Sequence, residues 1–216
     1  MKTLKDQINE ALKINNNLTT DSRQPKTRDE LREIIKARIS TEGPNCDLND
    51  IDVSLITDMT GLFMGSKFIG DISKWDVSNV KNMSWMFDES WFNGDISNWD
   101  VSNVTNMWCM FNKSKFNQDI SKWDVSNVEF MGYMFQSSQF NQPLKDWDVS
   151  NAYIMGNMFA YSKFNQDISN WKINKDCDCR YMFKRSLIKD EYKPILPKFN
   201  EEAFLKRYGH EPGPLF

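Results

Sequence analysis

The first residues that could do chemistry form a column of carboxylates. Asp76, Asp100, Asp124 and Asp148 recur every 24 residues, each directly after a tryptophan, and Lys172 ends the column. Two positions upstream, Lys74, Asn98, Lys122, Asp146 and Asn170 keep the same interval but change in charge. Alternate residues of an extended segment share a face, so the two columns line one surface. Stacked one strand apart, the like charges repel. Such a column suits an acidic concave groove for a cationic partner segment or an ion. Equally, Asp is the repeat's preferred strand residue, hydrogen-bonded along the ladder. The varying Lys/Asn/Asp column is the better carrier of specificity.

Enzyme chemistry finds little support in this pattern. Glycoside hydrolysis needs two carboxyls in different environments, one with a raised pKa, and a uniform column offers no such asymmetry. The repeats hold no histidine, no nucleophile–base arrangement and no G-x-x-x-x-G-K-[ST] phosphate loop. Cys46, Cys109, Cys177 and Cys179 form no C-x-x-C pair and the lone histidine is His210, so no metal or cofactor is expected, only reduced and mostly buried thiols. A second candidate surface is aromatic: Trp85 and Tyr133, with Trp108, Phe130 and Tyr153 nearby, interrupt the polar face of the units. These rings either anchor a partner or a second copy, or lie across neighbouring units and seal the stack.

What must position these residues is a repeat. Trp75, Trp99, Trp123, Trp147 and Trp171 are 24 apart, and one step back lands on Ile51, giving six units that begin at 51, 75, 99, 123, 147 and 171. A fixed period of this size signals units that pack on their neighbours. Inside one unit, Ile72, Trp75 and Val77 have the spacing of a short strand, while Val80, Met83, Met86 and Phe87 fall on one face of a helix of about two turns. Ser78-Asn79 between them suits a helix N-cap. The expected fold is therefore a right-handed α/β repeat solenoid. It would stack parallel strands on one face, back them with tryptophans, and carry short helices on the other face.

The phrase F-N-x-D-I-S-x-W-D-V-S-N-V-x-N-M-x-x-M-F, in five copies, resembles the BspA-type leucine-rich repeats of bacterial surface proteins and mycoplasma lipoproteins. The resemblance covers about residues 47–192. It implies a leucine-rich-repeat solenoid and protein binding, often in adhesion.

The ends read as caps, since terminal units would otherwise expose a core face. Residues 1–46 are expected to form a helical N-terminal cap. A first helix would span 3–14, and a second would open at the capping box Thr27-Arg28-Asp29-Glu30 and end before Gly43-Pro44. Residues 193–216 are expected to be a C-terminal cap with a short helix around 200–207 and a loose tail ending GPLF. The span 51–170 carries 14 acidic and 8 basic residues, which argues against a nucleic-acid partner. The opening MKTLKDQINEALKINNN has no apolar run and no window suits a membrane span, so a cytoplasmic protein is expected. Together these features lead to a non-enzymatic protein-binding module, acting as a binder or inhibitor of a protein partner, with a surface adhesin or a self-assembling structural protein as alternatives. The first surface is the face of Lys74, Asp76, Asn98, Asp100, Lys122, Asp124, Asp146 and Asp148. The aromatic face is the second.

Overall fold

The computed structural model describes residues 24–208. The expected helix over 3–14, His210 and the GPLF tail lie outside them. Among the described residues two α-helices flank the repeats, α1 (Arg28–Glu42) and α2 (Glu201–Tyr208), and one 3-10 turn (Asp190–Tyr192) precedes α2. Thr27 caps α1: its side chain accepts from the Glu30 N–H at 3.2 Å. Leu31 and Ile35 then turn inward onto the first unit and are buried.

The α/β solenoid with parallel strands and short helices is not what forms between them. Among the described residues the repeats contain no strand and no α-helix. Successive units are coils of overlapping turns, joined by one isolated parallel bridge each: Asp58 to Asn82, Asn82 to Asn106, Asn106 to Phe130, Phe130 to Ile154 and Ile154 to Asp178. The bridge falls at the eighth residue of each unit, inside the span where a helix was expected. Backbone conformation explains the difference. Trp85, Glu89, Cys109, Lys113, Tyr133, Ser137, Asn157, Tyr161, Tyr181 and Arg185 all have φ between 51° and 59°. A left-handed residue every fourth position cannot continue a right-handed helix. Only the first unit places glycine at the two equivalent sites, Gly61 and Gly65.

This alternation turns the amides outward to the next unit. In the unit from Trp99, the N–H groups of Met107, Cys109, Phe111 and Lys113 donate to the carbonyls of Phe130, Gly132, Met134 and Gln136 at 2.8–3.0 Å. In between, Met110, Asn112 and Ser114 close four-residue turns inside their own unit. Every amide in the stretch thus has a partner, as burial demands.

On the tryptophan side the expected sheet is replaced by side-chain bonds. The Trp123 indole N–H donates to the Ile96 carbonyl at 3.1 Å, and the same carbonyl accepts the Trp99 backbone N–H at 3.2 Å. The pattern recurs from Trp75 to Trp171. Asn79, Asn103, Asn127 and Asn151 each donate a side-chain amide to a serine carbonyl one unit back. Asn93, Asn117, Asn141 and Asn165 accept a backbone N–H one unit on.

The core is three columns of stacked rings. Trp75, Trp99 and Trp123 follow at 6.5 Å, within 4° of parallel. Phe63, Phe87, Phe111, Phe135, Phe159 and Phe183 follow at 5.5–5.9 Å. Phe68 to Phe164 form the third column at 6.0–6.3 Å. The indole bond can be tested by Trp123→Phe, which keeps a ring in the column but removes the donor. We expect a loss of about 1–3 kcal/mol beyond that of trimming the ring, read by urea unfolding against Trp123→1-methyltryptophan. Equal stability of the methylated and native indoles would show that this bond contributes nothing.

Candidate interaction surfaces

The carboxylate column is exposed, and its members are held by their own chain. Asp76 Oδ1 accepts from the Ser78 N–H at 3.1 Å and its hydroxyl at 2.6 Å. Asp100 makes the same pair with Ser102 at 3.0 and 2.6 Å. Asp124 and Asp148 accept the N–H groups of Ser126 and Ser150 at 3.0 Å. A second D-x-S turn in the return segment uses Asp71, Asp95, Asp119 and Asp167 in the same way. These are local Asx turns.

The turns shift proton affinity. The Ser102 and Ser150 hydroxyls, then their N–H groups, hold Asp100 and Asp148 below the usual carboxylate range. In the return turns the serine N–H is the larger cause, and it lowers Asp71, Asp95 and Asp119. Asp88 goes the other way: burial raises it, opposed by the Asn112 amide at 2.8 Å.

Lys74, Asn98, Lys122 and Asp146 are exposed, one rung apart. Asn98 and Lys122 line a shallow recess with Asp95, Gln118 and Asp119. Asp146 and Asp148 line another with Lys145, Asn170 and Lys172. Lys74, Asp76, Asp100 and Asp124 continue the same columns outside these recesses.

The aromatic residues divide. Trp108, Phe130 and Tyr153 meet in one apolar cluster with Ile154, Phe199 and Phe204. Phe130 meets Tyr153 edge-on at 4.6 Å, and Phe204 of α2 approaches Tyr153 at 6.2 Å. Tyr133 is buried beside Trp108 at 5.1 Å, and a Cβ on Gly132 would lie 2.5 Å from the Trp108 ring, so this position needs glycine. Trp85 stays exposed. The chain's own C-terminal segment therefore covers part of the aromatic face, through Phe199 and Phe204, two residues that the sequence reading passed over. Their signal was the apolar pair flanking the acidic start of α2.

The reading also missed a thiol pair. Cys177 and Cys179, in a C-x-C phrase, bring their sulfurs within 3.3 Å, both buried. Between them Asp178 is fully buried and takes two guanidinium bonds from Arg180 at 2.9 Å. Arg180 in turn lies 4.5 Å from the Phe199 ring centre. Burial pushes the Cys109 thiol up to about 12. Among the described residues no three His, Cys, Asp or Glu side chains converge to hold a metal, and no helix is long and apolar enough to cross a membrane.

A family model described as "Mycoplasma protein of unknown function, DUF285" matches residues 33–139 and again 92–192. No curated protein and no solved structure matches the chain.

The aspartate turns predict an acid limb. A carboxylate lowered in the folded state contributes stability fully above its unfolded value, near ~3.9 for Asp, and loses it as pH falls through the lowered folded value. Melting temperature should therefore hold from about pH 7 to 5 and fall below about pH 4. An Asp71→Asn, Asp95→Asn, Asp119→Asn variant, which keeps the accepting oxygens, should flatten that fall in a melting series. An acid limb identical to that of the native chain would refute the assignment.

Proposed function

Since this chain belongs to the Mycoplasma protein family of unknown function DUF285, whose description assigns no activity, we propose that it is a non-enzymatic protein-binding module. It recognises, and by occupying it inhibits or sequesters, a protein partner through the repeat surface. The observation that carries this reading is how polar side chains are used. The recurring Asp, Ser and Asn residues are engaged in turns and in bonds between units. An exposed column that varies from unit to unit reads Lys74, Asn98, Lys122, Asp146, Asn170. A scaffold held by invariant chemistry with a variable charged column on its rim is suited to recognition over several rungs. Specificity then comes from the order of charges.

The resemblance to BspA-type repeats supports the same class of function, and it also supports the adhesin reading. Self-assembly through the aromatic face is less favoured, because Phe199 and Phe204 already pack on the cluster of Trp108, Phe130 and Tyr153.

The test is affinity capture from lysate of the source cell with the native chain and a Lys74→Glu, Lys122→Glu variant. Both side chains are exposed, so the variant should melt at the native temperature. We expect a stoichiometric partner retained by the native chain and reduced at least about tenfold by the variant, about 1.4 kcal/mol. Retention of no stoichiometric protein by either would remove the reading.

A further inference from the structure

The coils are not equivalent at their two ends. In each of the first five, four alternate N–H groups donate to carbonyls of the next coil; the last such row runs from Met155, Asn157, Phe159 and Tyr161 to Asp178, Arg180, Met182 and Lys184 at 2.8–3.0 Å. In the sixth coil the equivalent groups are those of Cys179, Tyr181, Phe183 and Arg185. Among the described residues none of these four has an acceptor. They keep the donor geometry of the rows beneath them, with Tyr181 and Arg185 at φ 59° and 55°. This is an open edge, a row of aligned donors on a rigid template.

Two further features mark the same edge. The phenylalanine column ends there: Phe63 at its start is fully buried, whereas Phe183 is only half-buried and is met on its outer side by the Lys193 ammonium at 5.9 Å. Charge is the other. Lys184 and Arg185 are exposed on the row itself and make no ion pair among the described residues, and Lys172 and Lys175 in the same coil are also exposed.

We propose that this edge is a docking site for an acidic, turn-forming segment of a partner protein, which adds its carbonyls to the exposed part of the row, the N–H groups of Tyr181, Phe183 and Arg185, as a further coil would. The repeats themselves show what such a segment looks like. Asn82–Glu89 sits on the row of Met59, Gly61, Phe63 and Gly65, giving the carbonyls of Asn82, Ser84, Met86 and Asp88 and laying Phe87 on Phe63 at 5.5 Å. Residues at the last position of this segment come within ion-pair reach in successive coils, as Glu89 does with Lys113 of the coil after it at 2.7 Å. The position that would face it at the open edge is Arg185. The occupant is therefore a segment of about eight residues with an aromatic side chain at its sixth position, which takes the place of the Lys193 ammonium over Phe183, and carboxylates at its end.

A second copy fits less well, although its first coil has carbonyls at Asp58, Thr60, Leu62 and Met64 that accept no bond among the described residues. Helix α1 packs Leu31 and Ile35 onto that coil. A helix is ~10 Å thick, against the ~5 Å separation of hydrogen-bonded chains, so it keeps another edge out of reach.

This deepens the protein-binding reading and rests on it, but fails separately. A partner lost by the Lys74→Glu, Lys122→Glu variant, with no binding at the edge, would leave that reading standing and remove this one. The experiment uses the full chain and a labelled, end-blocked Asn-Met-Ser-Trp-Met-Phe-Asp-Glu peptide, followed by anisotropy and by amide exchange. We expect saturable binding that protects the Tyr181, Phe183 and Arg185 amides. Affinity should drop at least tenfold for a peptide ending Lys-Lys in place of Asp-Glu, and likewise for a Lys184→Glu, Arg185→Glu protein. Three results would each overturn the proposal: no saturable binding up to millimolar peptide, equal binding by the variant protein, or protection of the same amides by self-association of the chain alone.

Discussion

The whole structure depends on where four amides in each coil point. A buried N–H must find an acceptor, and in a helix it would find one four residues back in its own turn. Here a left-handed residue at every fourth position sends Met107, Cys109, Phe111 and Lys113 to the next coil instead. That single choice sets the separation of the coils. The ring columns follow from it, since identical side chains on identical backbones must lie above one another at 5.5–6.5 Å. The cost of holding Trp85, Cys109 or Tyr133 at positive φ, about 1–2 kcal/mol each, is offset by the amide bonds and ring contacts that the conformation permits.

The opposite side of the coil solves the same problem with side chains. Backbone turns there leave carbonyls such as Ile96 facing the next unit, and an indole N–H supplies the donor. Tryptophan suits this role because it delivers a large apolar surface and one hydrogen-bond donor together. Asn and Asp fill the remaining sites, Asn between coils and Asp within each turn. Little recurring polar chemistry is left over. What remains exposed and variable includes the column of Lys74 to Asn170 and the two ends, where a stack of similar units stops repeating. Its first end is closed by Leu31 and Ile35 of α1, and among the described residues no further coil continues its last.

Much of this was legible in the sequence and one central part was not. The 24-residue period, the inward set from Ile72 to Phe87 and the capped helix after Thr27 could all be read directly, because burial and capping depend on residue type. Strand and helix were misread because apolar spacings of three and four are shared by a helix and by overlapping turns. The deciding variable was the sign of φ at Trp85 or Tyr133, which those residue types do not advertise. The one written hint was Gly61 and Gly65, glycines in the first copy at the positions where later copies bend to the left. For the candidate surfaces, exposure of the charged columns followed from their alternation with buried residues. Covering of Trp108, Phe130 and Tyr153 by Phe204 did not, because it joins segments about 50 to 100 residues apart.

The most direct test of the coil architecture is a measurement of trans-hydrogen-bond scalar couplings in the deuterated protein, for the unit that begins at Trp99. The account predicts coupling from the Phe111 nitrogen to the Met134 carbonyl carbon and from Cys109 to Gly132. Coupling from Phe111 to Met107 instead, four residues back, would mean a helix and would contradict it.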